Sequence, residues 1–214
     1  TLFRSAIIVS GGTPPSEKLL KSYIQEGDFI IGVDKGCNAL VEYDIHIDLA
    51  LGDFDSINKE VYEILNSKNT HILTYNSEKD YSDTHLGYIT AIENGADKIF
   101  LFGATGTRVD HMLGNLGLFR NSIIDKVHLE IIDDNNRMFV VNKEATFKGS
   151  YGETISFHSL SDEVKKLNII GGKYKLKDYD MKLLEPRAIC NEFLDKDIRI
   201  TFESGLILVN FPKD

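Results

Sequence analysis

Six short apolar runs, separated by stretches of helical spacing, restrict the first two thirds of this chain to few folds. Ala6-Ile7-Ile8-Val9, Phe29-Ile30-Ile31-Gly32-Val33, Leu49-Ala50-Leu51, His71-Ile72-Leu73-Thr74-Tyr75, Ile99-Phe100-Leu101-Phe102 and residues 127–132 have the length and composition of buried strands. Between them, apolar residues recur every three or four positions. Leu19, Leu20, Tyr23 and Ile24 follow a start at Pro14-Pro15-Ser16, with Gly27 as the stop. Ala39, Leu40 and Val41 suggest a short helix. Ser56 or Asn58 would cap one carrying Val61, Ile64 and Leu65. Leu86, Ile89 and Ile92 mark a fourth, ending at Gly95, and Met112, Leu116 and Phe119 a fifth. Gly114 and Gly117 fall inside the last helix, where glycine is unfavourable unless another backbone packs close.

Strands alternating with helices imply a mostly parallel sheet with helices on both faces. Ligands of such sheets bind outside the carboxyl ends of the strands. In this chain Gly11-Gly12, Asp34, Asp53 with Asp55, Lys79 with Asp80 and Asp83, and Arg108 with Asp110 and His111 all follow strand ends. Separate polar loops therefore converge on one edge.

The pattern changes near residue 142. Met138-Phe139-Val140-Val141 is followed by short segments at 154–157, 164–170, 174–177, 198–202 and 206–211, with hairpin-turn signals at Gly171-Gly172 and Ser204-Gly205. The expected organisation is an α/β domain over residues 1–142 and a small antiparallel β-sandwich domain over 143–214.

The chain of 214 residues has a formal net charge of −9, which offers no basic footprint for nucleic acid. It leaves room for a phosphorylated substrate, because metal ions supply positive charge locally. Two cysteines, Cys37 and Cys190, are too few for a disulfide framework and lack metal-ligand spacing. Reduced thiols, no apolar run near the ~20 residues of a membrane span and no signal peptide lead to the expectation of a cytoplasmic protein without membrane contact.

Gly52-Asp53-Phe54-Asp55-Ser56 carries two carboxylates two residues apart. In an extended segment they face the same way, ~7 Å apart or less. Two negative charges at that distance repel by roughly 2 kcal/mol at an effective dielectric of ~20. A hard divalent cation would offset this. A turn with a helix cap explains the pair equally well. Asp83 has the same alternative, as cap of a helix beginning at Thr84; Asp80 is not needed for that. Lys79 is either a phosphate partner or the surface partner of neighbouring acids. Arg108 beside backbone N–H groups at a helix start suits a phosphate chain, whereas Asp110 has an N-cap as its alternative.

Gly52-Asp53-Phe54-Asp55-Ser56, Lys79-Asp80-Tyr81-Ser82-Asp83 and Gly103-Ala104-Thr105-Gly106-Thr107-Arg108-Val109-Asp110-His111 occur in the order seen in thiamine pyrophosphokinases. Val33-Asp34-Lys35-Gly36 resembles that family's aspartate-glycine segment, residues 133–136 its acidic-asparagine turn, and Cys190-Asn191-Glu192 its late Ser-Asn-Glu segment. The resemblance covers nearly the whole chain. Lys35 stands where glycine is common, Ser82 replaces threonine and Cys190 replaces serine.

The resemblance implies transfer of the pyrophosphoryl group of ATP to the hydroxyl of thiamine, giving thiamine diphosphate and AMP. It implies Mg²⁺ held by Asp53, Asp55, Asp80 and Asp83, with Lys79 and Arg108 balancing phosphate charge. Gly11, Gly12, Thr105, Gly106, Asp110 and His111 would belong to the nucleotide site, with Asp34 assisting the metal or the phosphates. Thiamine would meet Asn135, Asn136, Cys190 and Asn191, in a homodimer whose second domain serves thiamine binding and dimerisation. Two rivals remain at this stage. One is a magnesium-dependent phosphohydrolase with Asp53 as nucleophile; the other is a non-catalytic nucleotide-binding module.

Overall fold

Apolar residues on both faces of a strand require cover on both sides, and the first part of the chain supplies it with helices. The computed structural model describes residues 5–68, 70–76, 80–106 and 108–213, and divides into two units between Asp134 and Asn135. In the first unit β1 (Ser5–Val9), α1 (Glu17–Tyr23), β2 (Phe29–Val33), α2 (Gly36–Glu42), β3 (Leu49–Gly52), α3 (Lys59–Ser67), β4 (His71–Thr74), α4 (Asp83–Glu93), β5 (Lys98–Phe102), α5 (Val109–Asp125) and β6 (His128–Ile132) follow in order. The strands are parallel, in the order β6-β5-β1-β2-β3-β4. Strand order reverses between β1 and β5, so the loops that follow those two strands bound the crevice where ligands of open α/β sheets bind.

The helix ends follow the sequence in part. Ser16 caps α1, accepting from the Leu19 N–H, but α1 stops at Tyr23, before Gly27. Asn58 precedes α3 without a side-chain cap bond. The core packs Ile7, Val9, Leu20, Ile30, Leu40, Ala50, Leu65 and Phe102 together, all buried. Gly114 and Gly117 lie within α5, and a Cβ at either would meet nothing within 4 Å among the described residues. Their cost in helix propensity is thus not offset by packing among the described residues.

The second unit begins earlier than the sequence pattern suggested. β7 (Asn136–Val141) lies before the expected boundary at 142/143, yet it pairs antiparallel with β14 (Ile207–Pro212) along its whole length and so belongs to the second unit. An apolar run does not by itself reveal which strand it will pair with. The other strands are β8 (Ala145–Phe147), β9 (Thr154–Ser159), β10 (Glu163–Ile170), β11 (Leu176–Lys182), β12 (Ala188–Glu192) and β13 (Ile198–Thr201). They form antiparallel layers ordered β12-β9-β14-β7 and β11-β10-β13-β8. Phe147, Phe157, Phe193, Leu167, Ile200 and Val209 fill the space between these layers. Gly171-Gly172 does join a hairpin, β10 to β11. Ser204-Gly205 instead carries the chain from one layer to the other, because β13 and β14 do not pair.

A side-chain hydrogen bond ties α4 to α5. The Tyr88 hydroxyl donates to Asp125 at 2.8 Å, and its ring is almost fully buried. A hydrogen bond to a charged acceptor contributes more than a neutral one. Tyr88→Phe should therefore lower stability by about 1–2 kcal/mol, read as a lower urea midpoint with an unchanged m-value.

Candidate functional site

The carboxyl edge of the parallel sheet carries an acidic cluster centred on Asp34, the residue after β2. Asp34 adopts a left-handed backbone, φ 45°. Its N–H donates to the Leu51 carbonyl at 2.9 Å, and its Oδ1 accepts from the Phe54 N–H at 3.2 Å. Gly52 is required beneath it: a Cβ there would lie 1.7 Å from Asp34 Oδ1. Burial raises the pKa of Asp34 to about 6, with Asp83 and Asp53 adding negative charge and the Phe54 N–H pulling the other way. Asp34 also shares a side-chain hydrogen bond with Asp83. Two carboxyl groups can share such a bond only if one of them holds a proton.

The helix-cap readings of the acids fall away. Ser82 caps α4, its Oγ accepting from the His85 N–H, so Asp83 is the first helical residue and its carboxylate is left to face Asp34. A buried hydroxyl pair, Ser10 Oγ and Thr84 Oγ1 at 2.5 Å, fixes that helix start against the end of β1. The premise of an extended Asp53–Asp55 segment does not hold. β3 ends at Gly52 and Phe54 takes φ 57°, so the two acids do not follow the alternation of a strand. Asp53 Oδ1 instead accepts from the Asp55 N–H at 3.2 Å, closing a turn. Asp53 is half-buried, whereas Asp55 and Asp80 are exposed. Lys79 lies outside the described residues.

At the switch point the loops after β1 and β5 are stitched backbone to backbone. The Ser10, Gly12 and Thr13 N–H groups donate to the Phe102, Gly103 and Thr105 carbonyls, each at 2.8 Å. Gly12 permits this approach, since a Cβ would come within 2.2 Å of the Thr105 carbonyl. Gly11 and Gly106 are exposed, the Thr105 hydroxyl donates to Asp133 at 2.8 Å, and buried Asn115 donates to the Ala104 carbonyl at 2.8 Å. Arg108, the residue before α5, clasps Asp110 through Nε (3.0 Å) and Nη2 (2.6 Å). That pairing holds Asp110 well below the usual carboxylate range. Arg108 stands at the N-cap position and Asp110 is the second helical residue, so Asp110 is not the N-cap, and Arg108 is not free in this state. His111 is exposed.

In the second unit Asn191 is buried and clamps the hairpin. Its Oδ1 accepts from the Tyr174 and Glu192 N–H groups, both at 3.0 Å, and its Nδ2 donates to the Tyr174 carbonyl at 2.7 Å. Cys190 occupies a bulge of β12 with φ 52°, is exposed, and its N–H donates to Ser156 Oγ. Asn135 donates to the Lys213 carbonyl, and Asn136 accepts from Asn210. The clamp leaves Tyr174 as an exposed ring on a fixed backbone, with the Lys173 ammonium 5.5 Å from its centroid. Tyr174, Ser10, Thr84 and Asn115 were not singled out from the sequence. Only Asn115 left a trace there, as an asparagine in mid-helix, where that residue is unfavourable.

Among the described residues no three His, Cys, Asp or Glu side chains are grouped to hold a metal ion by themselves. The chemistry of the Asp34, Asp53 and Asp83 set still fits a hard cation, because all its donors are oxygens and their mutual repulsion is relieved by positive charge. Cys37, by contrast, is buried, and its thiol is pushed up to about 12 by burial and by Asp34, which leaves it inert.

Residues 20–131 match the family described as Thiamin pyrophosphokinase, catalytic domain, and residues 139–207 match Thiamin pyrophosphokinase, vitamin B1 binding domain. A thiamine pyrophosphokinase of Bacillus subtilis is 31% identical over 94% of this chain and 95% of its own length. The crystal structure of the thiamine pyrophosphokinase from Bacillus subtilis superimposes with a TM-score of 0.88 at 30% identity, covering 98% of this chain and 99% of that one. That from Geobacillus thermodenitrificans gives 0.84 at 28% identity, covering 98% of both. The chain belongs to the thiamine pyrophosphokinase family.

Proposed function

We propose that this protein transfers the pyrophosphoryl group of ATP to the hydroxyl oxygen of thiamine, releasing AMP. The observation that carries the reading is the acidic cluster at Asp34, on the sheet edge next to the stitched loops after β1 and β5. Pyrophosphoryl transfer needs positioning and charge neutralisation more than a protein nucleophile. Asp53 and Asp83, with Asp34 between them, would hold Mg²⁺, and Asp55 and Asp80 are exposed and free to join through water. Mg²⁺ usually relies on one or two carboxylates plus substrate phosphates, so an open acidic set suits it better than a closed cage. When bound it would neutralise the charge that develops on the phosphates.

The chain's own residues do the rest. The Gly11–Gly12 and Thr105–Gly106 turns, locked together, would set the floor for the nucleotide. Arg108 would exchange Asp110 for a phosphate oxygen, a bidentate donor in either state. Tyr174, held by Asn191, would offer its face to the rings of thiamine beside Cys190, and Asn191 would act by fixing that platform rather than by direct contact. The protein would act as a cytoplasmic homodimer. No helix among the described residues is long and apolar enough to cross a membrane.

Incubation with ATP, Mg²⁺ and thiamine should yield AMP and thiamine diphosphate in equal amounts. Orthophosphate without thiamine diphosphate would instead identify a phosphohydrolase, and tight ATP binding without any product a nucleotide-binding module. Asp53→Asn should reduce turnover by about a hundredfold or more, with the circular dichroism spectrum unchanged; near-normal activity across a magnesium titration would rule out the metal role of Asp53.

The crowded carboxylates also set a pH dependence. Asp34 titrates near 6 in the folded chain, above the ordinary aspartate value of about 4. Its stabilising protonated form is fully present below pH 4 and is lost as pH rises through 6. Asp34→Asn keeps the acceptor for the Phe54 N–H and a donor for Asp83. It should therefore melt roughly 2 °C or more above the wild type at pH 7.5 without magnesium. The gain should vanish below pH 4, while activity is lost at every pH.

A further inference from the structure

We infer that Lys35 is a substrate-binding cation that pairs with the phosphate chain of the nucleotide, an assignment that rests on the transfer reaction proposed above. Three features of its position lead there. First, the start of α2 is pressed onto the carboxyl end of β1: a Cβ on Gly36 would come within 2.0 Å of the Val9 carbonyl. This fixes residue 35 at the switch-point crevice. Bonds from the Cys37 N–H to the Asp34 carbonyl and from the Asn38 N–H to the Lys35 carbonyl, both 3.0 Å, hold its backbone. Second, its side chain leaves beside the Gly11 turn, where a Cβ on Gly11 would stand 3.4 Å from Lys35 Cβ. The absence of a side chain at Gly11 keeps that path open.

Third, Lys35 is exposed, and its ammonium makes no ion pair or hydrogen bond among the described residues. Arg108, on the same edge, is already held by Asp110 through two bonds. An incoming phosphate chain meets Asp34, Asp53 and Asp83 on one side and needs positive charge on the other. Lys35 stands next to Asp34 in the chain and next to Gly11 in space, between the acids and the loop. Lysine suits this place because it acts as a mobile point charge on a flexible stem and binds phosphate without fixed fork geometry.

Calorimetric titration with ATP and with inorganic triphosphate, both in Mg²⁺, tests the assignment on wild type, Lys35→Met and Lys35→Arg. A lost charge-assisted hydrogen bond corresponds to about tenfold or more in affinity. Lys35→Met should weaken both ligands by at least that factor, and Lys35→Arg should stay within about threefold. In steady state, Lys35→Met should raise KM for ATP and leave KM for thiamine unchanged. Binding of triphosphate by Lys35→Met within twofold of wild type would overturn the role of Lys35 and leave the proposed reaction standing. A rise in both KM values would also overturn it, as the mark of a structural residue. Failure of the wild type to bind ATP or triphosphate at all would overturn the proposed reaction as well.

Discussion

The burial of Asp34 beside Asp83 and Asp53 is the constraint around which the carboxyl edge of the first unit is arranged. The fold spends several devices on holding these carboxylates together. Gly52 clears the space under Asp34, Phe54 takes a backbone angle that bulky residues avoid so that its N–H reaches Asp34, and the Ser10–Thr84 pair pins the helix that carries Asp83. A chain selected for stability alone would place a neutral side chain at position 34. Local strain of this kind, held in place by its surroundings, is typical of functional sites.

The sheet topology explains why the cluster lies where it does. With strand order reversing between β1 and β5, the loops after those strands frame a crevice, and their backbone stitching makes it rigid before any ligand arrives. Preorganisation of this sort lowers the entropic cost of positioning a triphosphate. In the second unit the same economy recurs: one buried amide, Asn191, fixes both the hairpin that bears Tyr174 and the strand that bears Cys190.

The elements of the first unit were legible because their signals are local, being apolar runs of strand length and helical spacing. What escaped depended on contacts distant in sequence. β7 precedes the change in sequence pattern yet pairs with β14, far along the chain, and β8 and β12 carry weak local signals because one is short and the other has a bulge. The order of the acidic loops in the sequence points to the carboxyl edge of the sheet and to the family, and the family matches. It did not show which acids meet. Ser82 and Asp83 are equally good caps on paper, and only the structure shows that the serine takes the cap while the aspartate faces Asp34. Asp34 stands as a single acid after a strand in the sequence, and only the fold buries it beside Asp83 and Asp53. Arg108 and Asp110 were read as two separate features, whereas they form one ion pair.

The central claim is that Asp34 is held buried beside like charge, a cost that a magnesium–nucleotide complex relieves. A carbon-13 NMR titration of the aspartate carboxyl groups tests it directly. Without magnesium, Asp34 should titrate near pH 6. With Mg²⁺ and a non-hydrolysable ATP analogue, its midpoint should fall below the ordinary aspartate value of about 4. An Asp34 midpoint near 4 that does not move when magnesium and nucleotide are added would contradict the account.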